Sequence, residues 1–94
     1  MLAMPELLHE YWENDDGGSF GPVRERDDQL RPTLLPDARF VFSLRASSWH
    51  QAMQAHNERL GYGDYRPMDG IPNHFYTDEE AIEQASYLRF RIGS

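Results

Sequence analysis

From Trp49 to Leu60 the chain carries no proline, no glycine and no β-branched residue, and both ends of that run hold helix signals. Ser48 stands at the N-cap position, three residues before Gln51. That spacing predicts a capping box, with the Ser48 hydroxyl accepting from the Gln51 N–H and the Gln51 side chain returning to the Ser48 N–H. Trp49, Met53, His56 and Leu60 recur at i, i+4, i+7 and i+11, with Ala52 and Ala55 flanking, so they share one face of a helix. Gly61 suits the left-handed position that ends a helix, where a Cβ is penalised. Burying each large member of this face contributes roughly 1.5–3 kcal/mol. A core helix over 49–60 is therefore the element around which the rest must be arranged.

The flanking segments follow from this helix. Arg39-Phe40-Val41-Phe42-Ser43-Leu44-Arg45 alternates, with Phe40, Phe42 and Leu44 on one side, and predicts a strand running directly into the helix. Beyond the helix, Gly61-Tyr62-Gly63-Asp64-Tyr65-Arg66-Pro67 predicts an ordered loop packed by its own tyrosines. Tyr62 is expected to pack on the last helical turn, and Tyr65 to be freer to face outward. His74-Phe75-Tyr76, after the loop at 69–72, is expected as a short second strand. Thr77-Asp78-Glu79-Glu80 is a second capping box with acids in the first turn. Ala81, Ala85, Leu88 and Ile92 fit a helix, but Leu88, Phe90 and Ile92 also alternate with arginines. A helix to about Arg89 is favoured because no breaker intervenes.

The N-terminal part is less regular. Pro5 and Glu6 suit a helix start, and Leu8, Tyr11 and Trp12 share a helical face, so residues 5–13 are expected as a short helix, with an extended arm as the alternative. Asn14-Asp15-Asp16-Gly17-Gly18 is a turn. Ser19–Asp37 contains Pro22, Pro32 and Pro36 and is expected to be irregular. Its charge run Arg24-Glu25-Arg26-Asp27-Asp28 reads as a solvated face or loop.

With 94 residues the chain forms one domain, in which residues 1–18 are an acidic arm or short helix and 38–92 the compact core. Hydrophobic content of 39% and aromatic content of 13% exclude a disordered chain. No apolar run approaches a membrane span, and residues 1–8 do not read as a signal peptide, so a cytoplasmic location is expected. The absence of cysteine removes disulfides, thiolate nucleophiles and cysteine-ligated zinc. All nine basic residues are arginine, which excludes lysine chemistry and fits a GC-rich bacterial or phage genome. Net charge is −7, so nucleic acid is an unfavoured partner. Only residues 38–66 are net basic, through Arg39, Arg45, Arg59 and Arg66, which are expected to pair with the acidic ends of the chain.

Candidate chemistry is sparse. Gly17-Gly18-Ser19-Phe20-Gly21 matches G-x-S-x-G, but a nucleophile elbow needs a strand before it and a helix after it, whereas an acidic turn precedes and Pro22 follows. Glu13, Asp15, Asp16, Asp27 and Asp28 do not complete a calcium loop, since the twelfth position from Glu13 is Arg24. His9, His50, His56 and His74 include no pair at i, i+4. His50 and His56 lie about 600° apart around a helix of 3.6 residues per turn and face differently.

The stretch Ser47–Leu88 resembles a segment of small uncharacterised bacterial and phage proteins. The shared features are a tryptophan near a helix start, the Leu60-Gly61-Tyr62 exit, the Tyr65-Arg66-Pro67 loop and the acidic-capped helix after Thr77. No activity follows from that resemblance.

The sequence thus predicts a small α+β domain: a strand followed by a central helix, a second C-terminal helix and little additional sheet. No catalytic residue, metal ligand or cofactor is assigned. The functional expectation is a small acidic accessory protein that binds a protein partner, with Tyr62, Tyr65 and Arg66 as the binding patch and a homo-oligomer compatible with it. The alternatives are a metal-dependent enzyme using histidines and acids, and an acidic inhibitor that mimics nucleic acid.

Overall fold

The computed structural model describes residues 4–68 and 70–93, with the side chains of 92 and 93 excepted. The described elements are β1 (Leu7–Asn14), β2 (Gly17–Pro22), α1 (Glu25–Leu34), β3 (Arg39–Ala46), α2 (Trp49–Leu60) and α3 (Asp78–Gly93). This is the α+β domain expected, with an antiparallel three-stranded sheet in the order β2-β1-β3.

The N-terminal segment is neither a helix nor an arm: Leu7–Asn14 is the middle strand. An isolated helix of this length has few backbone bonds and no partner, whereas a strand between two neighbours is bonded along both edges. The turn at residues 14–17 fixes the pairing of this strand with the next. The Asn14 side-chain oxygen accepts from Asp16 N–H at 2.8 Å and from Gly17 N–H at 3.0 Å, closing a two-residue hairpin.

Ser19–Asp37 is likewise more ordered than its prolines imply. Residues 17–22 form β2, and the charge run opens α1, which carries Pro32 in its last turn. Glu25, Asp27 and Asp28 complement the positive helix end, and Arg31 the negative one. This helix has no buried residue and is polar nearly all round. It is held at the sheet by ion pairs instead of by an apolar stripe.

The other helices follow the expected signals. Ser48 Oγ accepts from Gln51 N–H at 3.2 Å, but Gln51 Oε1 returns one residue earlier, to Ser47 N–H at 2.6 Å. The segment 73–76 satisfies the remaining donors: His74 C=O accepts from Trp49 N–H, and Asn73 Oδ1 from His50 N–H. Instead of the strand expected at 74–76 there is a single bridge, Ser48 to Phe75. The Thr77–Glu80 box forms in both directions, and α3 continues through the region whose periodicity was ambiguous.

The core is small. Among the described residues, Leu7, Val23, Phe42, Ala46, Ala52 and Tyr76 are the buried apolar ones, and His9 is fully buried among them. Along β1, His9 and Tyr11 face α2, while Glu10 and Trp12 face α1 and α3. A register shift between Tyr11 and Trp12 takes Phe40 out of its alternation with Phe42. Phe40 is half exposed and meets the Trp12 ring edge-on at 5.7 Å.

Candidate functional site

The α2 face of the sheet carries an open aromatic groove of about 350 Å³ between α2 and β2. Phe20 of β2 forms one wall; Trp49, Met53 and His56 form the other; Tyr11 and Tyr62 close one end. The His56 and Phe20 rings lie 4.4 Å apart, Trp49 and Phe20 6.1 Å, and Tyr11 and His56 5.4 Å. Gly18 is required here: a Cβ on it would come within 2.5 Å of the Tyr11 hydroxyl, so its hydrogen lets that ring lie across the strand. Trp49, Met53 and Leu60 are only half-buried, because the face expected to be core is completed on one side by this groove.

Tyr62 belongs to this site, in a way the sequence does not predict. Gly61 takes φ 75°, and Tyr62 N–H donates to Asn57 C=O at 2.9 Å, as a glycine-ended helix requires. In that motif the exit side chain packs against Asn57 or His56; the Tyr62 ring reaches edge-on toward His56 at 6.3 Å but stays 68% exposed. The expectation of a packed Tyr62 and a free Tyr65 is therefore reversed. Gln54 Oε1 accepts from Tyr65 N–H at 2.9 Å, and the Tyr65 ring meets His50 edge-on at 5.5 Å. At about 100° per residue, His50 and Gln54 lie well round the helix from His56, so Tyr65 sits on an adjoining flank of α2. Arg66 beside it is exposed. The three residues expected to form one patch are thus divided between groove and flank.

On the opposite face of the sheet, β2 borders a second groove, of about 330 Å³, whose far wall is α1 with Leu30, Leu34 and Arg31. A polar cluster fixes α1 there. Arg91 of α3 pairs with Glu10 at 2.8 Å and with Asp28 at 3.0 Å; Arg31 pairs with Asp28 at 2.9 Å; Tyr87 donates to Asp28. The Arg31 guanidinium lies 4.2 Å from the centre of the Trp12 ring, whose N–H donates to Glu10. Burial pushes the Glu10 carboxyl up, but the bonds from Arg91 and Trp12 outweigh it and hold the carboxyl below its ordinary range. For Tyr87, burial and the bond to Asp28 push the hydroxyl up to about 12.

The most perturbed group is His9. Burial, opposed by the Leu7 carbonyl and helped by the positive charge of Arg24, lowers its pKa to about 4. Its Nδ1 lies 3.0 Å from Leu7 C=O and its Nε2 2.6 Å from the Tyr76 hydroxyl. A neutral ring donating from Nδ1 and accepting at Nε2 satisfies both contacts.

The remaining sequence candidates are scattered. Ser19 lies mid-strand in β2, without the strand-to-helix turn of a nucleophile elbow. Asp28 is engaged by Arg31 and Arg91, and Arg39 reaches Asp15 at 3.5 Å, the one pairing of that basic segment with an acidic end among the described residues. Arg59 lies over the Phe42 ring at 4.6 Å. Among the described residues no three histidine or acidic side chains converge as a metal site needs, and no helix is long and apolar enough to cross a membrane. No protein-family model, curated protein or solved structure matches the chain.

Proposed function

We propose that the protein is a small acidic accessory protein, of bacterial or phage origin, that acts by binding a protein partner and not by catalysis. The observation that carries this reading is the aromatic groove between α2 and β2, ended by an exposed Tyr62. Aromatic rings presented on a rigid frame contribute large contact area at little entropic cost, and they are enriched at the energetic centres of interfaces. Tyr65 and Arg66, on the adjoining flank, extend the surface that a partner could cover.

The test compares wild-type and Tyr62→Ala protein in pull-downs from host lysate, with thermal melting of both. Because Tyr62 is exposed, the variant should melt within about 4 °C of wild type, as expected for a surface change of under 0.5 kcal/mol. A partner held by wild type and lost by the variant supports the reading. Identical captured proteins from both would remove the groove as the binding site.

A further inference from the structure

We infer that the outer edge of β2 is a strand-acceptor site, taking an extended partner segment that is apolar on both faces and basic at one end. This rests on the binding reading above and specifies how the partner is held. Three observations carry it.

The first is the backbone. Val23 N–H donates to Leu8 C=O at 2.9 Å, so Leu8 and Val23 are a hydrogen-bonded pair of the β1–β2 ladder. Antiparallel ladders alternate, so Gly17, Ser19 and Gly21 turn their polar groups toward β1. Gly18 and Phe20 then turn theirs outward, together with the Pro22 carbonyl. β2 is an edge strand, and among the described residues no strand lies beside its outward groups. The other edge, β3, differs: it carries Arg39 and Arg45 and a register shift, devices that discourage pairing. No residue of β2 is charged.

The second is that β2 is bordered on both faces by a groove that presents apolar side chains. One face holds Phe20, Trp49 and Met53; the other holds Trp12, Leu30 and Leu34, with Glu10, Asp27 and Arg31 beside them. Side chains of a strand point alternately to the two faces, so a strand laid along β2 would place successive residues in the two grooves by turns. Such a segment would read as a continuous apolar run, as a strand buried on both faces does. A second copy of β2 does not meet this requirement, since Gly17-Gly18-Ser19-Phe20-Gly21-Pro22 offers one large side chain.

The third is charge. The hairpin end of the site carries Glu13, Asp15 and Asp16, and the whole chain has net charge −7. Of these three acids only Asp15 reaches an arginine, Arg39, and its side chain remains 93% exposed. Lysine or arginine at the partner end that lies beside the hairpin complements this field.

The test uses the full chain and a capped synthetic peptide of six alternating valines and leucines with two lysines at one end. Amide exchange and chemical shifts are followed by NMR up to about 1 mM peptide, the weak limit of specific binding. A second peptide carries N-methyl groups on the alternate residues that would bond to β2. The expected result is binding that slows exchange at Gly18 and Phe20 at least tenfold, and at least tenfold weaker binding of the methylated peptide. Equal binding of both peptides would overturn strand addition while leaving groove binding intact. No binding would overturn the stated occupant, and the Tyr62→Ala pull-down would then decide separately whether the groove binds any partner. Concentration-dependent dimers of the free chain with Gly18 and Phe20 protected would overturn the proposal in favour of a second copy.

Discussion

Acidifying the protein from pH 7 to pH 5 should cost it about 2 kcal/mol through His9 alone. In the folded state His9 is fully buried, and its pKa is lowered from 6.5 to about 4. The unfolded chain therefore takes up a proton first. Between about pH 6.5 and pH 4 the unfolded state holds one more proton at this site, so stability rises with pH across that window and falls as pH is lowered through it. The full shift is worth about 3 kcal/mol, at 1.36 kcal/mol per pH unit, and about 2 kcal/mol of it is lost by pH 5. The carboxylates of Glu10 and Glu80 have lowered pKa values and lose their contribution only below their ordinary 4.5, which leaves the upper part of the window to histidine. Urea denaturation at pH 5, 6 and 7 measures the slope. A His9→Gln variant, whose side chain can still meet the Tyr76 hydroxyl, should lose about 2 kcal/mol of pH dependence over this range. A wild-type protein equally stable at pH 5 and pH 7, or a variant that keeps the slope, would refute the buried neutral histidine.

Two further changes test the frame around the site. Ser48→Ala should destabilise the domain by about 1 kcal/mol, since it orphans the Gln51 donor at the start of α2; an unchanged denaturant midpoint would show that the bridge from residues 73–76 holds the helix end without it. Phe42→Ala should cost about 3–5 kcal/mol, read by denaturant unfolding, because the ring is buried beneath Arg59 and against Tyr11. A loss under about 1 kcal/mol would mean that the sheet is not packed on α2 as described.

What could be read from sequence was local. The cap at Ser48, the stop at Gly61, the box at Thr77 and the turn at Asn14–Gly17 each depend on residues within a few positions of one another. The misassigned elements depend on distant partners. Leu8, Tyr11 and Trp12 fit a helical face as well as a strand, and what decides for the strand is pairing with residues 17–22 and 39–46. The helix 25–34 has no apolar stripe to find; it is held by Asp28 meeting Arg91, more than 55 residues away, and by Arg31 lying over the Trp12 ring. Phe40 obeys a perfect alternation that the register shift opposite Trp12 breaks. For the site, Tyr62 was legible as a helix-exit aromatic, but not its exposure, since its ring meets His56 only edge-on. Phe20 and Gly18 were hidden inside a motif that read as an unfulfilled nucleophile elbow. Three glycines in a segment of six gave no strand signal, although the small size of Gly18 is what lets the Tyr11 ring lie across β2.

Hydrogen exchange of the β2 amides in the free protein tests the central claim most directly, because it reads the edge without needing a partner. The account predicts slow exchange at Ser19 and Gly21, whose N–H groups face β1, and fast exchange at Gly18 and Phe20, whose N–H groups face outward. Protection of Gly18 and Phe20 in the dilute free chain would contradict it, since the edge would then already be occupied.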